Sequence, residues 1–214
     1  HINGDNDHNI PNKITEKLKV LYPIINLIRS KRVKNGSLEL NTPDIEIKLD
    51  ESGNVISISK RSEAKDAYRL IEDCMLLANK VVAEKISNTS TSALYRIHEN
   101  PDVEQWAKMA LELNALGLNY IPNTRDDLNK IFNISAGSTN EYAVLLSILR
   151  NLKRAEYSAN LNEHFGLAFE KYTHFTSPIR RYADLIIHRI LKSVELNQKN
   201  SLSKNQINEI AMHC

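Results

Sequence analysis

The sequence predicts an α+β fold, predominantly helical, with one β-hairpin near the N-terminus. Three observations carry that prediction. Apolar residues recur at helical spacing through most of the 214 residues, giving the one-sided stripes of amphipathic helices. The spacing switches to strict alternation over a single stretch, from Ile45 to Ile58, which is the pattern of paired strands. Only 6 Gly and 6 Pro punctuate the chain, so helices meet few stops. The order of helix, hairpin and further helices, with no internal repeat, predicts one unit and not separate domains.

The first helix is expected from Thr15 to Arg32, with Leu18, Leu21, Ile25 and Ile28 facing inward. Lys31, Arg32, Lys34 and then Gly36 are stop signals, because cations suit the negative end of a helix and Gly accepts the left-handed turn that closes it. Ile45, Ile47 and Leu49 alternate with Glu46, Lys48 and Asp50 before the turn Glu51-Ser52-Gly53-Asn54, and Val55, Ile56 and Ile58 form the return strand. The longest helix is expected from Ser62 to about Ile86, with Ala67, Leu70, Ile71, Cys74, Leu77, Ala78, Val81 and Val82 as its apolar stripe. A second arc of that helix carries Arg69, Glu72, Leu76 and Asn79, and spacing alone reads it as a solvated face.

Asn100 and Pro101 open the next helix, since Pro suits the first helical position. Trp106, Met109, Ala110 and Leu113 are its core residues and Gly117 ends it. Thr124 with Asp127 caps a short helix to about Phe132, and Glu141 to Leu152 follows with Val144, Leu145, Ile148 and Leu149 inward. Ser177 and Pro178 read as a helix start, followed by Ile179, Ala183, Ile186 and Ile190 on the inward side,. Finally, Ser203 to Gln206 is a capping box, with Leu202 and Ile207 spaced as its hydrophobic staple,.

Composition bounds the function. With 28 Lys+Arg against 26 Asp+Glu, the net charge is +2, so any anion site must be local. No apolar run approaches the length of a membrane span. Cys74 and Cys214 offer neither a disulfide framework nor metal-ligand spacing, which favours a reducing compartment such as the cytoplasm. The chain opens on His1 without a secretion or transit pattern and stops at Cys214 inside a well-started helix. We therefore expect a piece of a longer chain.

The chemistry concentrates between His164 and Leu191. Arg180 and Arg181 occupy an expected first helical turn, where each cation costs roughly 0.3–1 kcal/mol against the helix dipole. Something negative is expected beside them. In one reading, Asp184 pairs with Arg181 and other carboxylates neutralise the rest. In the other, a helix N-terminus, two guanidinium forks and the hydroxyls of Thr173, Thr176 and Ser177 form a phosphate site. Tyr172, His174 and Phe175 interleave aromatic rings with these polar groups, which suits stacking on single-stranded nucleic acid. His188 reads as a structural histidine and Cys74 as core. The adjacent acids Glu72-Asp73 and Asp126-Asp127 diverge on a helix, so neither pair makes a two-metal site. Nucleophile-elbow, P-loop, dinucleotide and zinc-protease motifs are absent,.

The run HFGLAFEKYTHFTSPIRRYADLIIHRIL from His164 resembles the signature of the ribonuclease II and ribonuclease R family, the RNB-type 3'→5' exoribonucleases. AYRLIEDCMLLANKVVAEKI from Ala67 is similar to the long central helix of that family. YRIHENPD from Tyr95 and RSKRVKNGSLEL from Arg29 add two weaker matches. The resemblance implies that residues 1–214 are the C-terminal part of an RNB catalytic domain, of the ribonuclease R subtype. It implies processive hydrolysis of a single-stranded RNA 3' end to nucleoside 5'-monophosphates with Mg²⁺, in the cytoplasm. The metal ligands would be an upstream aspartate cluster, leaving none here and this piece inactive alone. Arg180 matches the catalytic arginine of the family, and Glu72 a glutamate contacting the terminal nucleotides. Tyr172, Thr173, His174, Thr176, Ser177 and Arg181 would line the same cavity. Leu40 stands where relatives often carry a stacking aromatic, and Glu163 where they often carry Gly. An RNA-binding relative that has lost activity is the alternative, and a helical interaction module is a third reading.

Overall fold

The computed structural model describes residues 11–40, 45–60, 65–198 and 202–214. Its elements are α1 (Asn12–Lys34), β1 (Ile45–Leu49), β2 (Val55–Lys60), α2 (Lys65–Ser87), β3 (Tyr95–Ile97), α3 (Val103–Ala115), α4 (Arg125–Ser135), α5 (Glu141–Asn151), β4 (Glu156–Ser158), α6 (Tyr182–Glu195) and α7 (Lys204–His213). The helix-dominated α+β class is therefore the observed one. None of the described helices is long and apolar enough to cross a membrane.

Local chemistry sets most helix starts. Asp102 caps α3 in a reciprocal capping box with Gln105, so the helix begins two residues beyond Pro101,. Thr124 accepts the Asp127 N–H at the head of α4, which runs on to Ser135. The Ser203–Gln206 box opens α7 as expected. The start of α6 differs. It begins at Tyr182, while Pro178–Arg180 form a separate turn and Ile179, expected inward, is fully exposed.

Two apolar clusters make the core. One joins Ile86 of α2, Leu94 and Ile97 around β3, Ile186, Ile187 and Ile190 of α6, and Ile207 of α7. The other joins Leu38 with Met109 and Leu113 of α3, Leu128 and Ile131 of α4, Val144 and Ile148 of α5, and Phe165. Trp106 packs edge-on against Phe165 at 6.3 Å, a core role. A second antiparallel pair, β3 with β4, lies beside these clusters.

The inward faces of α1 and α2 depart from the apolar stripes. On α1, Ile25 is buried, whereas Leu21, Ile24 and Leu27 are exposed. On α2 the buried set is Leu70, Asp73, Asn79, Ala83 and Ile86, while Ile71 and Val81 face outward. The two buried polar side chains turn the helix away from its most apolar arc. The hairpin pairs Ile47 with Ile58 and carries a bulge between Lys48 and Leu49. Its apolar side chains Ile45, Ile47, Leu49, Val55, Ile56 and Ile58 are all exposed.

Candidate functional site

The site is built on the segment from Tyr172 to Arg181, which enters from the β3–β4 side and leaves into α6. Its first two residues are floor, not lining. Tyr172 and Thr173 are buried. The Thr173 hydroxyl donates to the Leu94 carbonyl at 2.6 Å, and the Tyr172 hydroxyl accepts from Asn79 Nδ2 at 3.0 Å. The cavity-lining position expected for these two side chains gives way to internal hydrogen bonds.

The following N–H groups are captured by side chains. Asn79 Oδ1 accepts from Phe175 N at 2.9 Å and from Thr176 N at 3.2 Å. Asp184 Oδ1 accepts from Ser177 N at 2.7 Å and from the Arg181 guanidinium at 2.8 Å. The Pro178–Arg180 turn is closed by Arg180 N and Arg181 N donating to the Ser177 carbonyl. The helix does not start at Ser177: Asp184 takes the Ser177 N–H, the Ser177 carbonyl takes those of Arg180 and Arg181, and α6 begins at Tyr182.

The two arginines have separate fates. Arg181 is half-buried in its ion pair with the fully buried Asp184, so the structural reading holds for it. Arg180 is exposed at the tip of the turn, and among the described residues its side chain has no carboxylate at ion-pair distance. Glu72 is likewise exposed. It lies about two turns before Asn79 on α2, on the same helical face. Its neighbour Asp73 points inward to Arg32 at 3.0 Å and Arg29 at 3.5 Å.

The remaining predicted site residues surround the loop. His174 Nδ1 lies 2.7 Å from the Tyr157 hydroxyl, and the rings of Tyr157 and Tyr172 meet it edge-on. Burial, helped by the charges of Arg181 and Arg96, pushes the His174 imidazole down to about 4, so it is neutral at neutral pH,. The Thr176 hydroxyl is buried, and Ser177 is half-buried. Phe175 stacks on His188 at 4.0 Å, with His188 Nε2 donating to the Phe175 carbonyl. Asn79 is the residue that sequence reasoning missed as a buried support: spacing alone put it on a solvated face, and the family resemblance made that face a candidate cavity wall. The available signal was an amide inside an otherwise apolar helical segment.

The four sequence runs noted above meet here. Arg29 and Arg32 of the first bind Asp73 in the second. Asn79 of the second holds the Phe175–Thr176 backbone in the last. His98 of the third accepts the Gly166 N–H through Nδ1 at 3.2 Å, and a Cβ at Gly166 would meet that nitrogen at 3.1 Å. Leu38 N donates to the Gly166 carbonyl at 2.8 Å. Leu40 packs against the second apolar cluster. Glu163, the other departure, accepts from Asn100 and pairs with Arg125 at 3.4 Å.

Among the described residues, no group of three His, Cys, Asp or Glu side chains is placed to hold a metal ion. Asp73 is spent on two arginines, and Asp127 serves as a helix cap through Thr124, which holds its carboxyl below the usual range. The described residues do not fit a metal centre by themselves.

Comparison with known proteins places the arrangement. The RNB domain model matches residues 1–197. Ribonuclease R 2 of Lactococcus lactis is 35% identical over 204 residues, covering 94% of this chain and 30% of that protein. Ribonuclease R of Aquifex aeolicus is 37% identical over 185 residues, covering 84% of this chain and 26% of that protein. The solved structure of Mycoplasma genitalium RNase R in complex with ribose-methylated single-stranded RNA superimposes with a TM-score of 0.85 at 28% identity, covering 98% of this chain and 34% of that one. The chain thus spans about a third or less of the length of these relatives.

Proposed function

The chain belongs to the RNB-domain family, and on that premise we propose that it forms the C-terminal part of the catalytic domain of a hydrolytic 3'→5' exoribonuclease. The substrate of the whole protein is the 3' end of single-stranded RNA, its products are nucleoside 5'-monophosphates, and its setting is the cytoplasm. The observation that carries this reading is the contrast between the two arginines: Arg181 is spent on Asp184, while Arg180 is exposed on a turn whose base is pinned.

A guanidinium in that state offers a planar fork of donors to a phosphate. Negative charge grows on the phosphorus oxygens as the diester is attacked, and a preplaced cation stabilises that charge more than the ground state. Glu72 meets the terminal nucleotides, its carboxylate accepting from hydroxyl groups. Thr176, Ser177 and His174 shape the wall between Arg180 and the core, and Tyr172 and Thr173 act from beneath. Mg²⁺ is the ion of this reading. It would supply an activated water, its ligands lying beyond the described residues.

In the full-length protein, Arg180→Ala should retain RNA binding and lose turnover by about 100-fold or more, read as mononucleotide release from an oligonucleotide RNA. Unchanged turnover overturns the role of Arg180. A wild-type full-length protein that binds RNA and releases no mononucleotides overturns the enzymatic reading in favour of an RNA-binding relative.

A further inference from the structure

We propose that Asn79 and Asp184 are positioning residues for Arg180, two buried side chains from different helices that together fix the direction in which its guanidinium projects. This rests on the catalytic role assigned to Arg180 above. The loop from His174 to Arg181 belongs to no helix or strand, so its backbone donors have no ladder partners. Buried N–H groups must be satisfied by something. Here the acceptors are the side chains of α2 and α6. Asn79 takes two consecutive N–H groups, and Asp184 takes the next.

The geometry at Asp184 is the more telling. One oxygen, Oδ1, binds Ser177 N on one side of the Pro178–Arg180 turn and the Arg181 guanidinium on the other. Both flanks are tied to a single point, so the tip residues are driven outward, Ile179 fully exposed and Arg180 exposed beside it. Asn79 performs the same task one step earlier. Its Oδ1 accepts twice from the loop while its Nδ2 donates to Tyr172. Neither side chain reaches the surface: Asp184 is 0% exposed and Asn79 3%. A buried carboxylate is costly, and apolar residues would pack the same space at lower cost. The Asp184 Oδ2 and Arg181 Nε atoms are buried without hydrogen-bond partners among the described residues, so stability alone does not account for this pair. What the arrangement secures is the position of one turn.

The test is kinetic and uses full-length protein with an oligonucleotide RNA. Asn79→Leu keeps the branched shape of the side chain and removes the one oxygen that accepts both N–H groups. Its kcat should fall about 100-fold, as expected for displacement of a catalytic group by about 1 Å, with KM for RNA nearly unchanged. Asn79→Asp retains acceptors for both N–H groups, with the Tyr172 hydroxyl turning to donate, and should restore most of that loss. Combined with Arg180→Ala, Asn79→Leu should add nothing further, because both changes remove the same contribution. Additive losses in the double variant, or an undiminished kcat in Asn79→Leu, overturn the proposal. If Asn79→Leu does not fold, Asp184→Asn enters the same cycle. It keeps one acceptor and loses the charge that holds Arg181, and non-additivity with Arg180→Ala is again the expected result. Turnover retained in Arg180→Ala sinks the catalytic assignment itself. Turnover lost in Arg180→Ala but kept in Asn79→Leu sinks only the positioning role.

Discussion

Tyr172 and Arg181 illustrate how residue type and residue role separate. An aromatic beside two threonines and two arginines resembles a nucleic-acid contact, yet Tyr172 is 3% exposed and its hydroxyl is bonded to Asn79. Tyr172→Phe would leave Asn79 Nδ2 a buried donor without an acceptor, which costs about 1–3 kcal/mol. Urea unfolding should report that loss as a lower midpoint with an unchanged slope. A midpoint equal to wild type would mean that the tyrosine is not a structural support. The paired arginines were legible as an anomaly because cations oppose the helix dipole. That Asp184 could take Arg181 was legible from their spacing, and the resemblance singled out Arg180; the separate turn that holds Arg180 outward was not legible, since it depends on where α6 starts, and the start depends on Asp184 capturing Ser177 N.

At the scale of elements, the α1–α2 contact shows the same limit. The basic run at the end of α1 satisfies the ordinary rule for helix termini, but Arg32 reaches a carboxylate on α2 that is 4% exposed. Arg29 reaches the same group and also Glu39 at 2.7 Å. Removing Arg32 leaves Asp73 with the longer of its two ion pairs. Arg32→Ala should therefore destabilise by about 3 kcal/mol, while the double variant Arg32→Ala/Asp73→Ala should be less destabilised than Arg32→Ala alone. Thermal unfolding of Arg32→Ala, Asp73→Ala and the double variant decides this. A double variant worse than both singles would mean that the pair adds stability beyond relieving a buried charge. The capping box at Ser203, the Thr124 cap and the alternation of the hairpin were readable, because each is a local rule acting over a few residues, whereas the Asp102 box was passed over for Pro101. The burial of Asp73 and Asn79 was not, because it is decided by partners distant in sequence. The strands β3 and β4 were too short, at three residues each, to display a period.

The whole molecule carries a pH dependence that follows from where its histidines lie. His98 touches Phe165 of the second cluster edge-on at 5.8 Å and directly follows Ile97 of the first, so the junction between the two cores is built around imidazoles. His98 Nδ1 accepts from Gly166 N, and His164 Nδ1 accepts from Leu167 N. A proton on either nitrogen would set donor against donor. Burial, reinforced by the competing charge of a protonated His98 and by Arg96, holds His164 down to about 3, and burial holds His174 down to about 4, against an ordinary value of 6.5. His98 is lowered in the same direction, mainly by burial. Below about 6.5 the unfolded chain therefore binds protons that the folded chain refuses, and the linkage relation makes stability fall with falling pH. That loss accumulates from about 6.5 down to about 4 for His174 and to about 3 for His164. The melting temperature should accordingly drop between pH 7 and pH 5. His174→Phe, which keeps edge-on packing against Tyr157 and Tyr172 while removing one titrating group, should make that drop shallower. A pH slope identical to wild type would mean that His174 is not held neutral in the folded state. Because His164 meets Tyr172 edge-on at 5.3 Å and His174 lies in the loop itself, acid should remove the site by loosening the foundation of the loop that bears Arg180.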